Sequence, residues 1–354
     1  MEYLIQYGMF LAKVVTVVVA IVFILAAIAS AGNKHKKGVA KGHIKVTKLN
    51  EHFDEMRDSL QTAVLDSDAL KQENKKKKQQ SKEESKAAKK RLKEAGDSEP
   101  EPKKRVYVLN FTGDIAAHEV ASLREEITAV LSLARSSDEV LLRLESPGGM
   151  VHAYGLASSQ LMRIKNAKIP LTICVDKVAA SGGYMMACLA DKLVAAPFAI
   201  IGSIGVLVQL PNFHRVLKKN DIDYETISAG EFKTTLTTFG EITKKGRDKV
   251  KEDVEDMHVI FKQWVKDHRP SVDIDKVATG ETWVGMQAKD RYMVDELRTS
   301  DECIVNACAQ SDVYEVEFEH KQSIQDKVGS IFKGMVDKAI SSIFEKSDAR
   351  NFYS

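Results

Sequence analysis

From residue 106 onward, short apolar runs rich in β-forming residues alternate with segments whose apolar residues recur at helical spacing. The strand-like runs are 106–111, 140–144 and 171–175, and helix-like segments at 118–134 and 152–166 separate them. Parallel strands need a crossover between them, and this crossover is usually a helix. The alternation therefore predicts an α/β fold in which βα units form a sheet of parallel character covered by helices. Farther along the chain, residues 244–267 and 328–344 have a more helical pattern.

The composition is that of a globular protein. The chain has 354 residues, of which 44% are apolar and 29% charged, and its formal net charge is +2. These values exclude collagen-like, disulfide-scaffold and fully disordered chains. The four cysteines show no C-x-x-C spacing and the nine histidines no H-E-x-x-H arrangement, so we expect buried thiols, no metal and no cofactor.

The N-terminal region contains a candidate transmembrane anchor. Residues 14–31 carry no charge and are mostly apolar, and together with residues 8–12 they reach the roughly 20 residues needed to cross a bilayer. A cleaved signal peptide is the alternative, because Ala29-Ser30-Ala31 has the form of a cleavage site. The anchor is favoured, because signal peptides begin with basic residues whereas residues 1–10 contain Glu2 and no Lys or Arg.

The whole chain divides into four parts. Residues 1–33 hold the anchor, residues 34–105 are a charged neck, residues 106–320 are the globular domain and residues 321–354 are an amphipathic helical tail. The neck from residue 70 has too little apolar surface to form a core, and it contains no aromatic residue, so a solvated tether is favoured over a nucleic-acid site. We expect the tail to pack on the core or on another subunit rather than on a membrane surface.

Residues 189–210 are apolar enough to suggest a second membrane span. A charged pair at 191–192, two prolines and a turn-like Gly-Ser-Ile-Gly at 202–205 argue against a continuous helix. We therefore expect buried sheet in this stretch.

A glycine-containing turn follows the second predicted strand. In Ser146-Pro147-Gly148-Gly149, proline fixes one backbone dihedral, and the two glycines let bare backbone amides approach a ligand. Such amides can form an oxyanion hole, which stabilises the negative oxygen of a tetrahedral intermediate. Taken alone, however, Pro-Gly-Gly after a strand is usually just a turn.

A candidate nucleophile follows the third predicted strand. Ser181 lies in Ala-Ala-Ser-Gly-Gly-Tyr, where it would stand at the N-terminus of an apolar helix with small neighbours on both sides. The alternative is a helix N-cap serine. The α/β-hydrolase pattern G-x-S-x-G is not matched.

A nucleophilic serine requires a base, and no histidine lies in a run that resembles part of the same site. Lys233 is the candidate, provided that burial beside Phe232 and Leu236 lowers its pKa from about 10.4 towards 7 or 8. A lysine in a loop is usually solvated, so the residue alone is weak evidence.

Four motifs together resemble the signal peptide peptidase A family of bacterial membrane peptidases. They are Ser-Pro-Gly-Gly at 146–149, Ala-Ser-Gly-Gly-Tyr at 180–184, Ile-Gly-Ser-Ile-Gly-Val at 201–206 and Gly-Glu-Phe-Lys-Thr at 230–234. The resemblance spans residues 106–318, and the N-terminal anchor and Lys-rich neck agree with it.

The resemblance implies a ClpP/crotonase-like core of repeated ββα units and a serine endopeptidase with a Ser/Lys dyad. Ser181 would be the nucleophile and Lys233, 52 residues later, the general base. Ser203 would orient the lysine. The oxyanion donors would be the backbone amides of Gly182 and Gly149, with Gly148 the less favoured choice.

The family also implies unfolded or membrane-derived peptide substrates, a homo-oligomer and a single-pass bacterial inner-membrane location. Family analogy favours a periplasmic catalytic domain, whereas the lysines directly after the anchor favour the cytoplasmic side. Two alternatives remain. One is a non-catalytic membrane-tethered scaffold, and the other is an acyl-CoA enzyme of the crotonase type, which would not need both Ser181 and Lys233.

Overall fold

The computed structural model describes residues 42–73 and 103–321, together with residues 6–9, 13, 16, 75, 79, 82 and 83. The strands are β1 (Gly42–Lys48), β2 (Arg105–Thr112), β3 (Glu139–Glu145), β4 (Leu171–Val175), β5 (Val178–Ala180), β6 (Lys192–Ala195), β7 (Ile200–Gly202), β8 (Thr282–Val284), β9 (Glu296–Leu297) and β10 (Asp312–His320). The main helices are α1 (Leu49–Val64), α2 (Val120–Leu131), α3 (Val151–Asn166), α4 (Gly182–Ala187), α5 (His214–Lys219), α6 (Lys244–His268), α7 (Ile274–Val277), α8 (Gly285–Asp290) and α9 (Ser300–Gln310).

The principal sheet has seven strands in the order β1-β10-β2-β3-β4-β6-β9. Every pair from β10 to β9 is parallel. Helix α2 connects β2 to β3, and α3 connects β3 to β4. The predicted α/β fold with a parallel sheet is therefore confirmed, because each predicted strand and its crossover helix forms close to its expected place.

The central strands of this sheet, β2, β3, β4 and β6, are buried on both faces. In β2, Leu109 and Phe111 belong to a large cluster with α2 and α3, whereas Val106 and Val108 belong to a second cluster with α1 and α9. Side chains alternate between the faces of a strand, so a strand covered on both sides needs apolar residues at nearly every position. This requirement explains why the strands are continuous apolar runs in the sequence.

A smaller sheet of β5, β7 and β8 carries the candidate site. Strand β5 pairs parallel to β7, so that Ala180 lies opposite Gly202, and β7 pairs antiparallel to β8. The expected buried sheet between residues 189 and 210 is present as β6 and β7. The residues from Leu207 to Leu210 are exposed instead of buried.

The folded unit begins upstream of residue 106, within the stretch predicted to be a neck. Strand β1 joins the sheet beside β10, and α1 follows it directly. Leu49 is buried in the second cluster, and the Asn50 side chain donates to the carbonyls of Cys308 and Ser311 and accepts from the amide of Val313. These contacts hold residues 42–64 on the domain despite the lysine-rich surroundings.

The predicted anchor at residues 14–31, apart from Thr16, and the predicted tail beyond residue 321 lie outside the described residues. Within the part of the chain that is described, no helix is both long and apolar enough to cross a bilayer.

Candidate active site

Ser181 lies at a sharp turn between β5 and α4. Its backbone has φ 52° and ψ −118°, a conformation that favours glycine and costs about 1–3 kcal/mol in other residues. Two hydrogen bonds hold the turn: the Ser181 amide donates to Gly202 O at 2.8 Å, and Met185 N donates to Ser181 O at 3.0 Å. Ser181 is the N-cap residue of α4, but its side chain makes no capping hydrogen bond, so its hydroxyl is available for chemistry.

Gly148 lies against Ser181. It has φ +89°, and a Cβ added there would lie 2.6 Å from Gly182 N and 2.7 Å from the Ser181 Cβ. Only glycine fits this position. The Pro-Gly-Gly turn and the serine turn, 33 residues apart in the sequence, therefore meet backbone to backbone.

The hydrogen bonds around this junction distinguish the three candidate oxyanion amides. Gly148 N donates to Ser146 Oγ at 3.1 Å. Among the described residues, the amides of Gly149 and Gly182 have no acceptor. Gly149 packs tightly on the carbonyl of Ile115, and Gly182 on the ring of Tyr154, so neither tolerates a side chain.

A buried tyrosine supports the Pro-Gly-Gly turn. The Tyr154 hydroxyl lies 2.5 Å from Ser146 Oγ and donates to Asp114 O at 2.8 Å. Burial raises the pKa of Tyr154, although the hydrogen bond to Ser146 opposes this shift, so the phenol stays protonated and can donate. Sequence reasoning missed Tyr154, because an aromatic residue in an apolar helix looks like any other core residue.

Ser203 directly follows Gly202, the residue that accepts the Ser181 amide hydrogen bond. It is half-buried with φ 53°, and its own amide donates to Glu281 O at 2.6 Å. The pairing of β5 with β7 thus places the two serines at the same end of the small sheet.

Lys233 is exposed in the loop before α6. Its side chain makes no hydrogen bond or ion pair with any described residue, so the structure does not bring it to Ser181 or Ser203. Phe232 does not form the expected apolar shell, because it is 44% exposed and lies under the ammonium groups of Lys245 and Lys249.

The loop that carries Lys233 belongs to a longer exposed segment, residues 207–242. Its exposed large apolar residues are Leu207, Val208, Leu210, Phe213, Val216, Ile222, Tyr224, Ile227, Phe232 and Phe239. Large exposed apolar patches usually mark interaction surfaces.

In residues 42–73 and 103–321, no group of three or more His, Cys, Asp or Glu side chains is placed to hold a metal ion. The chemical groups gathered at the site are a free serine hydroxyl and backbone amides, which suits acyl transfer.

Two family models match the chain in succession. The N-terminal model of peptidase family S49 matches residues 2–161, and the family S49 model matches residues 163–314. The chain belongs to peptidase family S49. This result confirms the resemblance seen in the four motifs and identifies the α/β domain as that of a peptidase.

Individual relatives agree with membership of family S49. The chain is 50% identical over 323 residues to "Probable protease SohB" of Haemophilus influenzae, covering 91% of each chain. It is 43% identical over 307 residues to "Probable protease SohB" of Buchnera aphidicola subsp. Schlechtendalia chinensis, covering 86% of this chain and all of the relative. "Protease 4" of Haemophilus influenzae is more distant, with 27% identity over 57% of this chain and 34% of the relative.

Proposed function

We propose that this peptidase is a serine endopeptidase that uses Ser181 as nucleophile and Lys233 as general base. The observation that carries the proposal is the junction of Gly148 with Ser181. At this junction the Ser181 hydroxyl makes no capping hydrogen bond, and the nearby backbone amides of Gly149 and Gly182 have no hydrogen-bond acceptor among the described residues. A structural turn would need neither the strained serine nor the unpaired amides.

The reaction would proceed by acyl transfer. A neutral Lys233 takes the proton of Ser181 Oγ, and this oxygen attacks a peptide carbonyl carbon. The amides of Gly149 and Gly182 then donate to the resulting oxyanion, because the amide of Gly148 is already used by Ser146. The protonated lysine gives its proton to the leaving amine. In the second half of the reaction the neutral lysine takes a proton from water, the water oxygen attacks the ester, and the proton returns to Ser181 Oγ. Ser203 would orient the lysine amine.

Lys233 must move or be supplied by another subunit for this dyad to form. We infer that a homo-oligomer completes it, with residues 207–242 of one copy docking on the next. The apolar surface of this segment supports the inference, since Ile227 alone is 90% exposed.

We infer the substrate class from the surface near the candidate oxyanion hole. Ile115, Met150 and Val151 adjoin Gly149 and are all exposed. They would suit apolar residues of an unfolded or membrane-derived peptide. Residues 14–31 would anchor the enzyme in the bacterial inner membrane, with a periplasmic domain favoured by family analogy and a cytoplasmic one by the following lysines.

A non-catalytic membrane-tethered scaffold is the second candidate, and one observation favours it: Lys233 is exposed and makes no hydrogen bond with Ser181. Cleavage of an unfolded model protein by the full-length chain in detergent distinguishes the peptidase from the scaffold. We expect Ser181→Ala and Lys233→Ala to abolish cleavage, while Ser159→Ala on the exposed face of α3 and Lys266→Ala on the exposed face of α6 retain it. An inactive wild-type chain, or an active Lys233→Ala variant, would contradict the dyad.

Mixing the two inactive variants tests assembly. If neighbouring copies share the dyad, subunits exchanged between Ser181→Ala and Lys233→Ala oligomers should recover roughly a quarter of wild-type activity, because one site in four receives both intact residues. No recovery after proven exchange would place both residues in the same copy.

A further inference from the structure

A cavity of about 250 Å³ lies beside α9, at the end of the sheet where strands β2, β3, β4 and β6 begin. Its wall includes Glu139, the first residue of β3, whereas Ser146 of the candidate active site follows the last residue of this strand. The 7 residues of β3 span about 20 Å. The cavity is therefore separate from the junction of Gly148 with Ser181, and its lining residues take no part in the proposed peptidase chemistry.

The sheet face that packs on α9 becomes polar at this end. Within the strands it carries apolar side chains of the second core cluster, such as Leu141 and Val194. Glu139 and Lys192 lie two residues earlier in the same strands, and side chains two residues apart point to the same face. Thr172 lies opposite Lys192, is 8% exposed and donates to Glu139 Oε1 at 2.7 Å. Polar side chains therefore line the cavity where continued packing on the helix would need apolar ones.

The cavity extends across the sheet. Lys104 and Ser311 lie at one end, where Asp312 N donates to Lys104 O at 3.1 Å, and Lys192 and Arg298 lie at the other end. Strands β2 and β6 are separated by β3 and β4, so the two ends are about 14 Å apart. An extended peptide advances about 3.3–3.6 Å per residue. The cavity is therefore long enough for about four residues.

The two ends differ in charge. At one end Lys104 pairs with Glu139 at 2.7 Å, and their charges cancel. At the other end Lys192 and Arg298 both pair with the carboxylate of Glu296, so one positive charge has no further ion-pair partner among the described residues. A single carboxylate cannot accept from all the N–H groups of an ammonium and a guanidinium. This end therefore suits a second anionic group with two oxygens, such as a carboxylate.

The neutral end offers hydrogen-bonding groups without partners. Ser311 is 4% exposed and lines the cavity, and its hydroxyl makes no hydrogen bond with any described residue. Buried polar groups normally have a partner, and leaving one without costs about 1–3 kcal/mol. The side-chain amides of Asn306 and Gln310 line the same cavity and also have no partner among the described residues. Hydroxyl and amide groups of this kind suit the backbone of a peptide.

We propose that this cavity binds the C-terminal end of a short extended peptide. The free carboxylate pairs with Arg298 and Lys192, and the peptide groups before it reach Asn306, Gln310 and Ser311. Peptides with a free carboxylate are what a peptidase releases, so the cavity would hold product away from the candidate active site. The binding itself does not depend on the identity of the catalytic base.

The test is isothermal titration calorimetry of the full-length chain in detergent with N-acetyl-trialanine, compared with the C-terminal amide of the same peptide. We expect saturable binding of the acid and at least about tenfold weaker binding of the amide, because the amide cannot form the charge-assisted hydrogen bonds. Ser181→Ala should bind the acid as the wild type does. Absent binding, equal binding of acid and amide, or loss of binding in Ser181→Ala would overturn the proposal, and the last result would place the peptide at the candidate active site.

Variants of the lining locate the bound peptide. Arg298→Gln should bind the acid at least about tenfold more weakly, and Ser311→Ala about fivefold more weakly. Ser311→Ala should not lower the free energy of unfolding, because the hydroxyl has no partner in the protein. Lys276→Gln is the control, since Lys276 pairs with Asp273 outside the cavity, and it should keep the wild-type affinity. Unchanged affinity in Arg298→Gln or Ser311→Ala, or an equal loss in Lys276→Gln, would contradict binding in this cavity.

Discussion

The Tyr154 hydroxyl lies 2.5 Å from Ser146 Oγ, and Ser146 Oγ also accepts a hydrogen bond from the backbone amide of Gly148. One buried phenol thereby fixes the turn that carries the candidate oxyanion amide of Gly149. The ring of Tyr154 also packs against Gly182, the second candidate donor. Both halves of the proposed oxyanion hole therefore rest on a single side chain.

Tyr154→Phe should lower kcat about tenfold with little change in KM, because the turn loses its hydrogen bond while the residues that contact substrate stay in place. Steady-state kinetics on an unfolded substrate measures both constants. Tyr107→Phe is the control, since the buried Tyr107 hydroxyl has no partner among the described residues, and its removal should leave activity and stability unchanged. Equal kcat values in the two variants would show that Tyr154 is only a core residue.

Gly148→Ala should abolish activity, by at least about 100-fold, and destabilise the fold by roughly 2 kcal/mol. Its methyl group would lie 2.6 Å from Gly182 N in a backbone conformation that alanine avoids. Gly155→Ala is the matched substitution, because a Cβ at that position in α3 meets nothing within 4 Å. It should stabilise the helix by about 0.5–1 kcal/mol and keep full activity. Chemical denaturation and peptide cleavage assays distinguish the two, and an active Gly148→Ala variant would remove this turn from the mechanism.

The parallel sheet could be predicted from the sequence because a strand buried on both faces has apolar residues at nearly every position, and these runs alternate with segments of helical periodicity. Strand β1 was missed for the opposite reason. It is an edge strand whose Ile44 and Val46 alternate with polar residues inside a lysine-rich stretch, and this weak pattern was outweighed by the composition around it.

The site could be predicted in part. Short motifs identify Ser181 and Gly148 because their backbone conformations restrict which residues fit. Lys233 lies in a long exposed loop, and the proposed dyad requires this loop to dock near Ser181, which no local sequence pattern encodes. The Tyr154 hydroxyl contacts Ser146 and Asp114, which are eight and 40 residues earlier in the chain, and these contacts are visible only once α3 is packed.

Asp295→Ala should destabilise the protein by about 3–5 kcal/mol, because it leaves the buried Arg269 guanidinium without its partner. The two side chains form paired hydrogen bonds of 2.6 and 2.9 Å, and Arg269 is 6% exposed. Asp273→Ala removes the exposed ion pair with Lys276 and should cost no more than about 1 kcal/mol. Urea denaturation of both variants measures the difference, and equal losses would mean that Arg269 finds water or another acceptor.

The same pair should make stability sensitive to acid. Burial raises the pKa of Asp295, but the hydrogen bonds from Arg269 and from Leu193 N outweigh it, so that the pKa is lowered overall. A lowered folded-state pKa stabilises the protein fully above about pH 4, and this stabilisation is lost as the pH falls below that value. Asp295→Ala should therefore flatten the stability curve on its acid side.

Glu126 should have the opposite pH dependence. Burial raises its pKa to about 7, against the effect of the hydrogen bond from Phe318 N at 2.9 Å, and Oε2 has no partner among the described residues. Between about pH 4.5 and pH 7 the unfolded chain loses this proton while the folded chain keeps it, so stability falls as the pH rises through that range.

Glu126→Gln keeps the acceptor for Phe318 N and removes the buried charge. It should stabilise the protein by about 1–3 kcal/mol at pH 8 and change little at pH 4.5. Denaturation curves across this range measure the effect, with Glu125→Gln on the exposed face of α2 as control; parallel curves for all three proteins would show that Glu126 is ionised in the folded state at neutral pH.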